Sequence, residues 1–279
     1  MKLTLLTGCT LGLFALILGL PGCSPQSSTS QADTGAPLRV AAASDLKFAL
    51  DTLIEELYQD VEKSPIEVTY GSSGNLRAQI QQGAPYDLFL SADMKFPKML
   101  VESGQGIPET LFPYAVGRIV IWVPDPSPID VENLQERSLL EPSVRRISIA
   151  NPRHAPYGQA AVAALESYGL LAEVESRFVM GENIAQAAQF VESRAADIGI
   201  IALALAVAPA MKDKGRFWEI PLEQFPTMLQ GGVITRQSRQ PERAQRLAAA
   251  IISDQGRSVL QRYGFILPDE QSLHSHATN

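Results

Sequence analysis

The chain has 279 residues, of which 46% are hydrophobic and 19% are charged, and its formal net charge is −7. Acidic and basic residues are mixed along it and no block of Lys or Arg occurs, so nucleic acid is not an expected partner. The length is sufficient for one large domain or for two lobes with real hydrophobic cores.

The beginning of the chain predicts an export signal. Met1-Lys2 gives a charged start, and the apolar run over residues 11–20 is too short to span a membrane stably. The following string, Leu20-Pro21-Gly22-Cys23, resembles a bacterial lipoprotein cleavage site. That resemblance implies a signal peptide over residues 1–22 and a lipid on Cys23. The alternative is a simple cleavage site and a free cysteine.

Cysteine content and composition describe the region after the signal. Cys9 and Cys23 are the only cysteines, and Cys9 leaves with the predicted signal, so we expect no internal disulfide in the exported chain. Its stability must then come from hydrophobic burial. Residues 23–37 are mostly small and polar, which predicts a flexible tether between an N-terminal anchor and the folded part.

Three strand-to-helix turns are predicted in the next part of the chain. Residues 38–43 read as a strand, and Ser44-Asp45 begins a helix with leucines at helical spacing. Residues 66–70 alternate as a strand before the small turn that contains Ser73. A third strand over residues 86–90 ends near Ser91, and its acids, Asp87 and Asp93, are predicted to serve as turn and cap residues.

Ser44 and Ser73 are candidates for binding an anion. Both follow strands of a predicted parallel sheet, so both lie at its carboxyl edge, where open α/β sheets bind ligands. The first N–H groups of a helix are unpaired and carry partial positive charge, and a serine hydroxyl adds a further donor. Such a turn can hold an oxyanion. The alternative is that these serines are ordinary helix N-caps.

Two more turns of this kind are predicted in the second part of the chain, after a crossing near Gly117. A strand over residues 146–150 leads to a helix with Tyr157 at its mouth, and a strand over residues 178–180 leads to a helix at Ile184. Further elements are predicted as strands over residues 117–123, 197–201 and 228–235 and helices over residues 202–210, 242–252 and 258–263. Alternation of strands and helices predicts an α/β fold with mainly parallel sheets.

Five strings in order resemble one family, the bacterial molybdate-binding proteins that supply ABC transporters. The resemblance covers residues 38–265. The strings are Ala41-Ala42-Ala43-Ser44, Tyr70-Gly71-Ser72-Ser73-Gly74-Asn75-Leu76, Gly83-Ala84-Pro85-Tyr86-Asp87-Leu88-Phe89-Leu90-Ser91-Ala92-Asp93, Asn151-Pro152-Arg153-His154-Ala155-Pro156-Tyr157-Gly158 and Arg262-Tyr263-Gly264-Phe265.

The resemblance implies a type II periplasmic-binding-protein fold with a hinge between two lobes. Lobe 1 would comprise residues 38–116 and 227–279, and lobe 2 residues 117–226. It implies a monomeric, exported, periplasmic protein, anchored by lipid, that delivers molybdate, and tungstate as well, to an ABC permease in the inner membrane. No cofactor and no enzymatic activity are expected.

The resemblance also implies the ligand-binding residues. Ser44 and Ser73 would donate from hydroxyl and backbone groups, Tyr157 and Ile184 from backbone N–H groups, and Asp45 would add its own N–H. Molybdenum would be present only inside the bound oxyanion. Many members place a tyrosine hydroxyl in the pocket after a Gly-Ile-Val string, but here Gly199-Ile200-Ile201 is followed by Ala202, which leaves the preference between molybdate and tungstate open.

Alternative functions fit the sequence less well. The same fold could bind another tetrahedral oxyanion such as sulfate, a metal cation or an organic acid, although Asp45 is the only acid beside the predicted site. A serine hydrolase would need a base for Ser73, and the Gly-x-Ser-x-Gly pattern fails because Asn75 stands two residues after it. His154 is predicted to pack in its turn. A module without a ligand would leave four donor-rich turns unexplained.

Overall fold

The computed structural model describes residues 35–58 and 65–268. The predicted signal, Cys23, most of the predicted tether and the chain from residue 269 onward lie outside these residues. Within them, no helix combines the length and apolar character needed to cross a membrane.

Lobe 1 is built on a five-stranded sheet. Its strands are β1 (Leu38–Ala43), β2 (Ile66–Gly71), β3 (Leu88–Ser91), β4 (Phe112–Gly117) and β10 (Met228–Ile234). Their order is β2-β1-β3-β10-β4. β1 pairs in parallel with β2 and β3, whereas β10 pairs antiparallel with β3 and β4.

Helices cover both faces of this sheet. They are α1 (Lys47–Tyr58), α2 (Ser73–Gln81), α3 (Lys95–Glu102), α9 (Pro241–Ile252) and α10 (Asp254–Arg262). On one face, Leu50 and Leu53 of α1 pack with Leu247 of α9 over the sheet. On the other, Leu76 and Ile80 of α2 pack against Phe89. Burial of these apolar stripes is what fixes the helices to the sheet.

Lobe 2 repeats the arrangement with a second sheet. Its strands are β5 (Ile119–Pro124), β6 (Ile147–Ala150), β7 (Phe178–Gly181), β8 (Ile198–Ala202) and β9 (Gly215–Glu219), in the order β7-β6-β8-β5-β9. β6 pairs in parallel with β7 and β8, and β5 pairs antiparallel with β8 and β9.

The helices of lobe 2 are short, apart from two. They are α4 (Val131–Leu134), α5 (Pro156–Ser167), α6 (Leu171–Val174), α7 (Ile184–Glu192) and α8 (Leu203–Ala206). The alanines of α5, Ala160, Ala161 and Ala164, are buried in the same core as Trp122 of β5, which is fully buried. Small side chains allow the helix to lie close to the sheet.

The predicted two-lobed α/β class is confirmed, but the sheets are mixed, with two parallel and two antiparallel pairings each. Strands β4 and β9 were not predicted, because neither shows a clean alternation of apolar and polar residues. The helix predicted over residues 202–210 is also wrong in extent. Ala202 ends β8 and the helix stops at Ala206, since Pro209 disfavours helical backbone before it.

The chain crosses from lobe 1 to lobe 2 at a single residue. β4 ends at Gly117 and β5 begins at Ile119, with Arg118 between them. Arg118 donates to the carbonyl of Gly264 at 2.7 Å and to Glu219 at 2.8 Å, which ties this crossing to residues of both lobes. The exact limits of the lobes stay a prediction.

Candidate functional site

Two strand-to-helix turns of lobe 1 lie side by side. Ala43, the last residue of β1, pairs in parallel register with Gly71, the last residue of β2. The chain then continues from Ala43 into a 3-10 helix that begins at Ser44, and from Gly71 through Ser72 into α2, which begins at Ser73. Because the strands are parallel neighbours, both helix starts emerge at the same edge of the sheet.

Lobe 2 presents the same geometry. Ala150 at the end of β6 is in register with Gly181 at the end of β7. The following helices begin at Pro156 and Ile184, so Tyr157 lies in the first turn of α5. Pro156 at the first position fixes a helical φ and lacks an N–H that would have no partner there.

These four turns line one cavity. Its walls are Ala43, Ser44, Asp45, Gly71, Ser72, Ser73, Ala92, Ala155, Pro156, Tyr157 and Ile184. All five residues predicted as oxyanion ligands are among them; their role as ligands stays a prediction. The cavity measures about 10 Å³, close to the minimum that holds one water molecule, so a larger guest requires its walls to separate.

The cavity offers hydrogen-bond donors without a cation. No Lys or Arg is among its walls. The hydroxyl oxygen of Ser73 accepts the N–H of Ala92 at 3.0 Å, and that of Ser44 accepts the N–H of Ala185 at 3.3 Å. Each hydroxyl thus uses an oxygen lone pair on the protein and keeps its own proton for donation. The N–H groups at the helix starts that have no partner within the helix add a positive electrostatic potential at the cavity.

Asp45 is the one acid at the cavity, and its carboxylate is held by two partners. Its Oδ2 accepts the hydroxyl of Tyr157 at 2.9 Å and the amide of Gln230 at 2.8 Å. Burial raises the pKa of Asp45 to about 6, and the hydrogen bonds from Gln230 and Tyr157 oppose that rise. Burial also raises the pKa of Tyr157 well above its usual value, so its hydroxyl remains a donor.

The lobes touch beside the cavity, and the conformation is closed. The N–H of Gly74 in lobe 1 donates to the carbonyl of His154 in lobe 2 at 3.0 Å. The His154 ring lies 2.9 Å, Nδ1 to Oγ, from Ser72, and Asn75 donates to Glu182 at 3.2 Å. The N–H of His154 donates to the carbonyl of Asn151 in its own turn at 3.3 Å, as predicted, but its ring and its carbonyl contact the other lobe.

The geometry does not make Ser73 a nucleophile, because its Oγ bonds to a backbone N–H and not to a base. Ser72, His154 and Glu182 form a serine–histidine–acid row like that of a hydrolase, with His154 Nε2 at 3.6 Å from Glu182. Ser72 is buried, and these three residues bridge the two lobes, so they act as an interlobe contact. Among the described residues, no cluster of His, Cys, Asp and Glu could hold a metal ion.

Sequence reasoning missed Gln230 and the partners of His154. Gln230 is fully buried in β10. The sequence does carry a signal for it, since one amide in an otherwise apolar or glycine-containing strand needs a buried partner. That partner, Asp45, is 185 residues away in the chain, so spacing could not identify it.

Comparison with known proteins agrees with this geometry. The family model of bacterial extracellular solute-binding proteins matches residues 38–266. The molybdate-binding protein ModA of Azotobacter vinelandii is 32% identical over 251 residues, 90% of this chain and 95% of that protein. ModA of Rhodobacter capsulatus is 31% identical over 207 residues, 74% and 79% of the two chains.

The fold agrees as well. The solved structure of the Azotobacter vinelandii periplasmic molybdate-binding protein superposes with a TM-score of 0.77 at 31% identity, covering 83% of this chain and all of the other. These relatives bind solutes and are not enzymes. The chain therefore belongs to the bacterial extracellular solute-binding proteins, in the group that includes the molybdate-binding proteins.

Proposed function

We propose that this protein binds molybdate, and tungstate as well, in the cavity between its lobes and delivers it to an ABC permease. The observation that carries the proposal is that four helix starts, two from each lobe, line one buried cavity with serine hydroxyls and no basic side chain. The molybdate-binding relatives at 31% and 32% identity support the choice of oxyanion.

The proposed ligands are hydrogen-bond donors. Ser44 and Ser73 supply hydroxyl and backbone groups from lobe 1, with the N–H of Asp45 beside them. Tyr157 and Ile184 supply backbone N–H groups from lobe 2. Hydrogen bonds to a charged group contribute about 1.5–3 kcal/mol each, so six or seven of them can offset much of the cost of removing a dianion from water.

Discrimination follows from the size and charge of the guest. Sulfate carries the same charge as molybdate but is smaller, so it leaves some donors of the same cage unpaired. Each orphaned donor costs about 1–3 kcal/mol. Ala202, which is fully buried at the end of β8, stands at the position where many members of the family have the pocket tyrosine. A donor is thus absent there, and the ranking of molybdate against tungstate has to be measured.

The cellular setting is part of the proposal. Membership of this family implies export to the periplasm, and we propose that lipid on Cys23 anchors the protein there, with residues 23–37 as a tether. The folded part would act as a monomer, and its closed face would dock on the permease.

Calorimetry tests the proposed ligand. We expect saturable heat from molybdate and tungstate, and none from sulfate, phosphate or chromate at the same concentrations. Heat from sulfate alone would reassign the protein to another tetrahedral oxyanion. No heat from any of the five anions would refute oxyanion binding altogether.

A further inference from the structure

Three buried side chains join the lobes directly behind the cavity. Asp45 and Gln230 belong to lobe 1 and Tyr157 belongs to lobe 2, and their exposed fractions are 1%, 0% and 2%. Besides the two bonds to Asp45 Oδ2, Gln230 Nε2 lies 3.1 Å from the Tyr157 hydroxyl. The three groups therefore contact one another in a closed triangle, which we name the interlobe tie.

We propose that the interlobe tie stabilises the closed form and thereby sets how long the bound oxyanion is retained. The inference rests on the proposed function. Its residues act as positioning residues, because their side chains lie beside the cage while the backbone groups of two of them face the ligand. Closing the lobes, forming the tie and enclosing the ligand are thus one event.

The tie forms only when the lobes are closed, because Asp45 and Gln230 belong to lobe 1 and Tyr157 belongs to lobe 2. Opening the lobes moves Tyr157 away from Asp45 and Gln230, and water then replaces the lost partners. In the closed form the same groups are shut off from water, so each missing bond would leave a buried group unpaired. Oδ1 of Asp45 and Oε1 of Gln230 have no hydrogen-bond partner. The bonds that Tyr157 makes with Asp45 and Gln230 are therefore the main interlobe contact of this cluster.

Gly117 supports the inference independently. It is the last residue of β4, where the chain passes between the lobes. A Cβ at this position would lie 2.6 Å from the Tyr157 hydroxyl and 2.8 Å from the Gln230 amide nitrogen. The crossing therefore packs directly on the tie, and only glycine leaves room for it.

The main test compares two buried tyrosines. Tyr157→Phe removes the interlobe hydroxyl and keeps the backbone N–H at the cavity. Tyr114→Phe is the matched control, because Tyr114 is equally buried and its hydroxyl donates to the carbonyl of Ser91 within lobe 1 at 2.9 Å. Binding and release of molybdate are followed by stopped-flow tryptophan fluorescence, and thermal melting is recorded without ligand.

For Tyr157→Phe we expect release of molybdate about tenfold faster, with an unchanged association rate and little change in melting temperature without ligand. For Tyr114→Phe we expect a lower melting temperature and unchanged release. Equal release rates for Tyr157→Phe and the unmodified protein would overturn the inference. An unmodified protein that binds neither molybdate nor tungstate would instead refute the proposed function, and the inference with it.

Three further variants separate the tie from a general packing effect. Asp45→Asn keeps a carbonyl oxygen for Tyr157 and Gln230, whereas Asp45→Ala removes it, so we expect Asp45→Asn to release molybdate more slowly than Asp45→Ala. Gly117→Ala displaces the tie without altering its members and should speed release as Tyr157→Phe does. Release that is equally fast for Asp45→Asn and Asp45→Ala would contradict the inference.

Discussion

Ser73 combines two tasks in one hydroxyl. Its oxygen accepts the N–H of Ala92, which connects the start of α2 to the end of β3. Its proton remains free to bind a guest. The residue therefore contributes to the fold and to the proposed site at once, and a substitution should reveal both contributions.

Ser73→Ala should weaken molybdate binding by about 1.5–3 kcal/mol, because one hydrogen bond to a charged group is lost. It should also lower the melting temperature, since the N–H of Ala92 loses its partner. Calorimetry and thermal melting measure the two effects.

Ser148→Ala is the control for this substitution. Ser148 is fully buried and donates to the carbonyl of Ala187 at 2.7 Å, but it is not a wall of the cavity. It should lower stability and leave molybdate affinity unchanged. Unchanged affinity in Ser73→Ala as well would remove Ser73 from the set of ligands.

Asp45 should make binding depend on pH. Its pKa is raised from the ordinary value of 3.8 to about 6 in the closed form, and opening exposes the carboxyl to water, which returns its pKa towards the ordinary value. The closed form thus binds more protons between these values, so affinity should fall as pH rises through about 6. A bound dianion raises the pKa further, which extends the fall to higher pH.

Asp45→Asn should remove this dependence, because the amide does not titrate. Molybdate dissociation constants measured at intervals between about pH 5.5 and about 8 give the comparison; one titrating group limits the change to about tenfold per pH unit. A flat profile in the unmodified protein would mean that Asp45 does not change its protonation state on closure.

Local turn chemistry explains why some residues could be predicted and others could not. Ser44 and Ser73 were predicted from their position between a strand and a helix, and the structure puts both at one cavity. Gln230 and the carbonyl of His154 take part through contacts with residues 185 and 80 positions away. Such contacts depend on how the lobes meet, and no short string of residues encodes that.

At the scale of elements, α2 and the turn before α5 approach each other at Gly74. A Cβ on Gly74 would lie 2.6 Å from the carbonyl oxygen of His154, closer than real Cβ contacts. Glycine is therefore required for closure, although it is a poor residue for the first turn of a helix.

Gly74→Ala should consequently change binding and stability in opposite directions. It should stabilise the protein without ligand by up to about 1 kcal/mol, because alanine favours the helix. It should weaken molybdate binding, because the lobes can no longer meet at this point. Thermal melting without ligand and calorimetry with molybdate test this, and undiminished affinity would show that the contact is dispensable for closure.

The elements themselves were predicted where apolar periodicity was strong. β1, β6 and α7 follow their patterns closely, with buried positions at the expected spacing. β9, of sequence Gly-Arg-Phe-Trp-Glu, lies at the edge of its sheet and is only half-buried along its length. This edge strand lacks the continuous apolar run of a strand that is covered on both faces, so its sequence does not distinguish it from a loop.

At the scale of the whole molecule, the lobes must open for a ligand to enter. The cavity of about 10 Å³ is bounded by both lobes, and the contacts at Gly74 and Asp45 close it. Among residues 35–58 and 65–268, the chain joins the lobes at the crossing at Arg118 and at the return between Glu219 and Met228, which suits a hinge.

Small-angle X-ray scattering should detect this motion. We expect the radius of gyration to fall when molybdate is added, because the ligand binds donors of both lobes only in the closed form. Sulfate at the same concentration should leave the radius unchanged. An equal radius with and without molybdate, under conditions where calorimetry shows saturation, would mean that the protein does not close on its ligand.

The lack of Lys and Arg in the walls of the cavity has an electrical consequence for the loaded protein. A guest held by neutral groups keeps its full charge, so the complex becomes two units more negative than the empty protein, or one unit if Asp45 takes up a proton. Loaded molecules should therefore migrate faster toward the anode in a native gel. A permease that contacts the closed surface could distinguish full from empty carriers by this added negative potential as well as by their shape.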